Sequence, residues 1–385
     1  MPRITGTYTT TAVAGERVRA FVPHPLPPAK PRLTLDDILD ERHAEAMAAL
    51  QRLTIAAAMV PSADWFLYGF VRKEAVISSQ IEGTQATLRD VLAFEATDEA
   101  LNPDDVQEVC NYVAALTYVR KQLRSKSGLP LSTRLLCEAH KRLMKGARGA
   151  NKQPGRLRRS QNWIGGSRPG TAGFVPPPAN AVAEAMAALD KWIHADDALP
   201  PLVRAGLAHV QFETIHPFLD GNGRIGRLLV ALLIEQWGLL DAPVLYLSLA
   251  LKRRQSEYYA RLSAVRTEGD GEGWTRFFPE CVIEAADDGV AVAQKLSALL
   301  SNHRRKLLGT SGVTIPAMQL LEQLPVHPMV TLSGALDLLD VSKPTGSKAI
   351  ATLQDAGILR ETTGKKRDRV YAYHEYLRIL TGGDA

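Results

Sequence analysis

The segment HPFLDGNGRIGR, residues 216–227, constrains this 385-residue chain more than any other. Leu202, Val203, Leu207, Val210 and Thr214 repeat on one helical face before it. Pro217 disfavours helical geometry at His216, so that helix is expected to end there. Ile225, Leu228, Leu229, Leu232 and Leu233 mark a second helix, ending near Gly238. Two apolar helices must therefore meet across a short glycine-rich loop.

That geometry suits phosphate. Gly221 and Gly223 let the backbone approach a ligand closely and turn N–H groups toward it. Asn222 and the start of the next helix, through Ile225 and Gly226, add unpaired donors and a positive dipole end. Arg224 and Arg227 are three residues apart and can share a helix face. Each offers forked donors to a phosphate. Asp220 is a candidate ligand for Mg²⁺ held between phosphates. His216 is a candidate general base at the rim. Phe218 is expected to anchor the loop in the core.

The rest of the chain divides by pattern. Five prolines between residues 23 and 31 give the first 32 residues an extended character. Helical periodicity begins after Thr34, with Asp36 and Asp37 at a capped start. Further helices are expected near 62–82, 85–95, 103–124, 131–145 and 178–194. Alternating β pattern is scarce before residue 310, so the main domain is expected to be mainly α. Glycines and prolines between 146 and 178 predict a hairpin or loop. The last 75 residues or so read as three helices followed by two strands, the winged-helix order. The helices are expected over Ile315–Leu324, Thr331–Leu339 and Lys343–Asp355, the last capped by Ser342, and the strands over Ile358–Glu361 and Arg369–Tyr373. The expected division is 1–100, 101–290, a helical linker 291–309, and 310–385.

Charge and composition narrow the setting. A 45% hydrophobic content excludes global disorder. Lys and Arg number 46 against 41 Asp and Glu. This excess permits anionic partners without requiring them. No Asp or Glu occurs from Ala139 to Ala183, where Lys141, Arg142, Lys145, Arg148, Lys152, Arg156, Arg158, Arg159 and Arg168 fall. Such a run is either a solvated surface or a flap beside an anionic ligand. Three distant cysteines offer no metal spacing. No apolar run is long enough to span a bilayer, and the N-terminus has no apolar signal core. A cytoplasmic protein without membrane partners is expected.

HPFLDGNGRIGR is similar to the signature of the Fic (filamentation induced by cAMP) family, H-x-F-x-D/E-G-N-G-R-x-x-R, at all eight specified positions. GRLRRSQNWIGG, residues 155–166, resembles the family's flap, which lines up a target chain. The resemblance puts Ile164, Gly165, Gly166 and Ser167 at the site. The segment from Lys252 to Phe278 resembles the region where members place tyrosines near adenine, here Tyr258 and Tyr259. The Pro-rich start resembles the N-terminal Fic segment. Ser78-Ser79-Gln80-Ile81-Glu82-Gly83 fits the inhibitory pattern S/T-x-x-x-E-G/N. Ser78 and Glu82 lie four apart and face one way, so Glu82 can pair with Arg227.

The resemblance implies a helical Fic domain with a short β-hairpin flap and a C-terminal winged helix. It implies transfer of AMP from ATP, with Mg²⁺, to a hydroxyl of a protein target. Autoinhibition by Glu82, reverse de-AMPylation, self-modification and a homodimer belong to the same reading. A different reading is a DNA-binding regulator whose Fic domain senses nucleotide. From Thr310 onward, eight Lys and Arg stand against eight Asp and Glu, a poor balance for tracking phosphates.

Overall fold

The computed structural model describes every residue except 1, 2, 30, 35, 61, 101, 147, 148, 311 and 383–385. Arg148 of the basic run therefore lies outside the described residues. The chain opens on β1 (Gly6–Val13) and β2 (Glu16–Pro23). Then come α1 (Asp37–Ala58), α2 (Ala63–Ile81), α3 (Leu88–Thr97), α4 (Pro103–Arg124), α5 (Thr133–Leu143), α6 (Ala179–His194), α7 (Pro201–Ile215) and α8 (Asn222–Gln236). Next are α9 (Leu247–Arg253), α10 (Gln255–Thr267), α11 (Gly271–Leu308), α12 (Ile315–Gln323) and β3 (Met329–Thr331). Last are α13 (Leu332–Leu339), α14 (Lys343–Asp355), β4 (Arg360–Glu361), β5 (Val370–Ala372) and α15 (His374–Thr381). The fold is mainly helical, as expected.

Local chemistry explains many boundaries. Asp36 caps α1 by accepting from the Leu39 N–H at 2.9 Å. Thr87 and Asp90 form a reciprocal capping box on α3. Pro103 and Pro201 start α4 and α7, where a missing N–H costs nothing.

α7 is the centre of the molecule. Of its residues, Leu202, Val203 and every position from Ala205 to Ile215 are buried. A helix buried all round needs neighbours on every side, and α6, α8, α10 and α11 supply them. Gly206 lets α7 pack closely on α11, because an added Cβ would lie 2.9 Å from the Phe278 ring. α1 lies along α11, with Arg276 bonded to Asp36 and Arg52 to Asp287 at the two ends.

Several expectations need correction. The first 32 residues contain a hairpin rather than a simple arm: β1 and β2 pair along their full length. Ala14 and Gly15 both have positive φ, the geometry of a tight hairpin turn. The flap has no strand ladder. A single antiparallel bridge joins Ile164 and Phe174 and encloses a 3-10 turn at Pro169–Thr171. Five prolines between residues 154 and 178 deny the flap ladder donors. Ser342 makes no capping bond to α14; its hydroxyl pairs with Thr345.

The 290/291 boundary falls inside the unbroken helix α11. The C-terminal part contains α12–α14 and a three-stranded antiparallel sheet of order β3-β5-β4. It rests on the main body: Gly69 of α2 faces Leu380 and the Tyr376 hydroxyl of α15. No described helix is long and apolar enough to cross a membrane.

Candidate active site

α7 delivers His216 in the left-handed region, with φ 49° and ψ 62°. Pro217 then carries the chain away from the helix axis. The loop is closed by Asn222, whose side chain accepts from the Phe218 N–H and donates to the Phe218 carbonyl, both at 2.8 Å. Asn222 therefore shapes the loop with both ends of its amide. Phe218 is buried and stacks on His140 with ring centroids 3.9 Å apart.

His140 is a second clamp. Its Nδ1 accepts from the Gly155 N–H at 2.8 Å. Nε2 must then carry the proton, and it donates to the Asp220 carbonyl at 3.0 Å. Burial pushes this imidazole down to about 4, so it stays neutral. Arg158 ties the flap to the same loop. Its backbone N–H donates to Pro217, and its guanidinium reaches the carbonyls of His216, Ser160, Pro177 and Ile215. Asn162 adds a bond to the Phe218 carbonyl at 3.0 Å.

α8 begins at Gly221, whose φ of 75° favours glycine. Arg224 is buried and donates to Glu108 at 3.0 Å; Glu108 also accepts from the Thr84 hydroxyl. Arg227 is buried too. Its Nε donates to the Ser78 hydroxyl at 2.9 Å, and Nη2 to the Ser78 carbonyl and the Glu82 carboxylate, each at 2.7 Å. Glu82 closes α2, and Gly83 follows with φ 95°. Burial raises the Glu82 carboxyl, but the Arg227 charge and hydrogen bond outweigh it and hold it below its ordinary value. Any Cβ on Gly223 would collide with the Glu82 carboxylate. Glu82 thus lies directly over the first turn of α8, where anions are favoured.

The His216 ring is 19% exposed and Nδ1 has no hydrogen-bond partner. Burial and the charges of Arg266 and Arg158 push it down to about 3, so the ring is neutral at physiological pH. The Asp220 side chain is 43% exposed, with Oδ1 on the Gly221 N–H and 3.8 Å from Arg224. Among the described residues no group of three His, Cys, Asp or Glu could hold a metal without other ligands.

The structure thus brings together His216, Asp220–Gly223, Arg224, Arg227, Ser78 and Glu82. Ile225 is core, and Gly226 gives room to the Glu213 carboxyl. Ile164, Gly165, Gly166 and Ser167 lie on the flap, and no hydrogen bond joins them to the 216–227 loop among the described residues. The two tyrosines separate. Tyr258 is buried with its hydroxyl on His209 at 2.8 Å, whereas Tyr259 is 48% exposed. A cavity of about 660 Å³ lies elsewhere, between His24–Ala29 and the Leu207–Gln211 face of α7.

Four contributors escaped sequence reading: Glu108, His140, Asn162 and Glu213. Burial raises the Glu213 carboxyl to about 7, with Arg227 opposing and Glu82 assisting. Glu108 lies 116 residues from Arg224, so no local pattern could reveal it. Arg158 registered there only as a charge.

Two family models match this chain, and the 216–227 loop lies within the span of the second. The Fic/DOC family N-terminal model matches residues 41–121, and the Fic/DOC family model matches residues 130–234. Protein adenylyltransferase Fic of Drosophila grimshawi is 30% identical over 215 residues, covering 54% of this chain and 40% of that protein. The protein of the same description in Drosophila willistoni is 29% identical over 262 residues, covering 65% and 48%. The chain spans less than half the length of these curated relatives. A Fic family protein from Desulfovibrio desulfuricans G20 superposes with TM-score 0.56 at 24% identity, over 88% of this chain and 97% of that one. Fic-1 from C. elegans superposes with TM-score 0.52 at 22% identity, over 68% and 73%.

Proposed function

This chain belongs to the Fic/DOC family, and on that premise we propose that it transfers AMP from ATP to a hydroxyl side chain of a protein. The observation that carries the reading is the start of α8. A bare backbone at Gly221–Gly223, two arginines and a neutral imidazole converge there.

His216 takes the proton of the incoming Ser, Thr or Tyr hydroxyl. The hydroxyl oxygen bonds to the α-phosphorus as the bond to the pyrophosphate oxygen breaks, and pyrophosphate leaves. The N–H groups of the first turn of α8 donate to the phosphate oxygens. Arg224 and Arg227 balance the remaining phosphate charge. Asp220 fits a magnesium ligand, because its carboxylate is exposed beside the loop and Mg²⁺ usually takes one or two carboxylates with phosphates and water. When bound, the ion supplies charge neutralisation. Most of the acceleration is positioning and electrostatics.

Glu82 makes the resting enzyme weak. It holds Arg227 and covers the N-terminal turn where phosphate would sit. Tyr259, being exposed, is the better of the two tyrosines for an adenine contact. Ile164–Ser167 present the target. Surface hydroxyls of the enzyme are acceptors as well, so self-modification is expected. Residues 310–385 are read as a winged helix that docks the target or a second copy. Its even charge balance argues against duplex binding.

The test uses ATP labelled on the α-phosphate and, separately, on the γ-phosphate, with Mg²⁺ and cell extract. AMP transfer leaves α-label on protein and none from the γ position. Label from the γ position above that in extract without the enzyme, with none added from the α position, would mean phosphate transfer and overturn the reading.

A further inference from the structure

The basic run from Ala139 to Ala183 is not absorbed by the nucleotide chemistry. Three of its arginines are committed. Arg142 pairs with Glu138 at 2.7 Å and Arg168 with Glu16 at 3.2 Å. Arg158 is buried with its guanidinium on four carbonyls. Lys141, Lys145, Lys152, Arg156 and Arg159 differ. All five are exposed, and none makes an ion pair with a described residue.

They cluster at one place. Gly155 packs against the Lys141 side chain, and its N–H is held by His140, which also holds the Asp220 carbonyl. Gly149 closes on the Asp220 carboxylate and Met144. The N–H of Arg158 is fixed to Pro217. Lys141, Lys152, Arg156 and Arg159 therefore lie on segments packed against the 217–220 loop, with Lys145 on the same stretch of chain. Arg224 and Arg227 are a separate set, buried and already paired.

Five unpaired like charges at a rim raise the local potential and attract the opposite sign. A single-stranded nucleic acid would also need aromatic platforms for its bases. The stretch 141–159 contains no Phe, Tyr or Trp. An acidic polypeptide needs none.

We propose that this rim docks an acidic segment of the target protein, flanking the hydroxyl that receives AMP. The proposal rests on the AMP-transfer reading for the identity of the partner as a protein. The rim then selects targets by charge, and it mainly sets the association rate and the target KM.

The test is fluorescence anisotropy of labelled peptides on the full chain, without nucleotide. One peptide carries a serine flanked by glutamates; its counterpart carries glutamines. The comparison variant is Lys152→Glu/Arg156→Glu/Arg159→Glu. These three side chains make no hydrogen bond or ion pair among the described residues, so its fold should hold, checked by thermal melting. The glutamate peptide is expected to bind the parent about tenfold tighter than the glutamine peptide. That preference should fade with added salt and vanish in the variant, while ATP affinity by calorimetry stays level. Equal affinity for both peptides would overturn the proposal. So would equally strong competition by oligothymidine, or ATP affinity falling along with peptide binding. Acidic-peptide binding without incorporation of α-label by Glu82→Gly protein would support docking while counting against AMP transfer.

Discussion

The Glu82 carboxylate lies 2.7 Å from the Arg227 guanidinium and occupies the space that a side chain on Gly223 would need. Arg227 is 2% exposed in its side chain and Glu82 34%. The arginine is therefore a fixed part of the core, and the glutamate is the partner able to leave. One contact thus joins the end of α2 to the start of α8. An anion arriving at that helix start must displace or distort it.

Gly223→Ala tests the close approach. The new methyl group displaces the Glu82 carboxylate but also obstructs the backbone donors needed by phosphate. ATP affinity by calorimetry is expected to fall about tenfold, or ~1.4 kcal/mol. The double variant Gly223→Ala/Glu82→Gly should remain weak. Full ATP affinity in the double variant would mean that the bare backbone is not needed.

His216→Ala should abolish AMP transfer while leaving ATP affinity near the parent value. The imidazole sits beside the phosphate loop, and the phosphate contacts come from other groups. Labelling at the parent rate would remove His216 from the role of base.

The helical nature of the main body and the helix–loop–helix geometry of 216–227 were legible in the sequence. Apolar periodicity along Leu202–Ile215 and the Pro217 and Gly221 breaks are local signals, and local signals survive into the fold. The Ser78–Glu82 spacing was legible for the same reason. The β1–β2 hairpin was not, because four threonines in GTYTTTAV blur the apolar alternation that marks a strand. The flap ladder was expected and is missing, because prolines withhold its donors. Glu108, His140 and Glu213 were invisible. Their roles come from burial against distant elements, which spacing does not encode.

Arg224 and Glu108 form a pair in which the side chains are 4% and 2% exposed. Arg224→Ala takes a charged partner from the buried Glu108 carboxylate, which lowers stability. Thermal stability and ATP affinity should therefore fall together. Glu108→Gln lowers stability but keeps the arginine, so ATP affinity should largely persist. Equal loss of affinity in both variants would assign the pair a structural role alone.

Glu213 gives the fold a distinct pH dependence. The unfolded carboxyl loses its proton near 4.5 and the folded one near 7. The folded state therefore holds the proton more tightly, and stability falls as pH rises through that window. Arg227, Arg266, Glu82 and Tyr258 are the charged and titratable groups facing it, with His216 beside it at 3.9 Å. Glu213→Gln removes the titration. Relative to the parent, this variant should gain up to about 3 kcal/mol in denaturant stability between about pH 5 and about pH 8. A parallel pH profile for the two proteins would place the ionised carboxylate in the folded state at neutral pH.

The central claim is that Glu82 restrains an intact AMP-transfer site. The most direct measurement is the initial rate of α-label incorporation by Glu82→Gly and parent protein at equal ATP and Mg²⁺, with Glu82→Gly/His216→Ala as the reference. Removing the carboxylate frees Arg227 and clears the start of α8, so the rate should rise well above the parent, self-modification included, and fall to background in the double variant. A rate equal to or below the parent in folded Glu82→Gly protein would contradict the account.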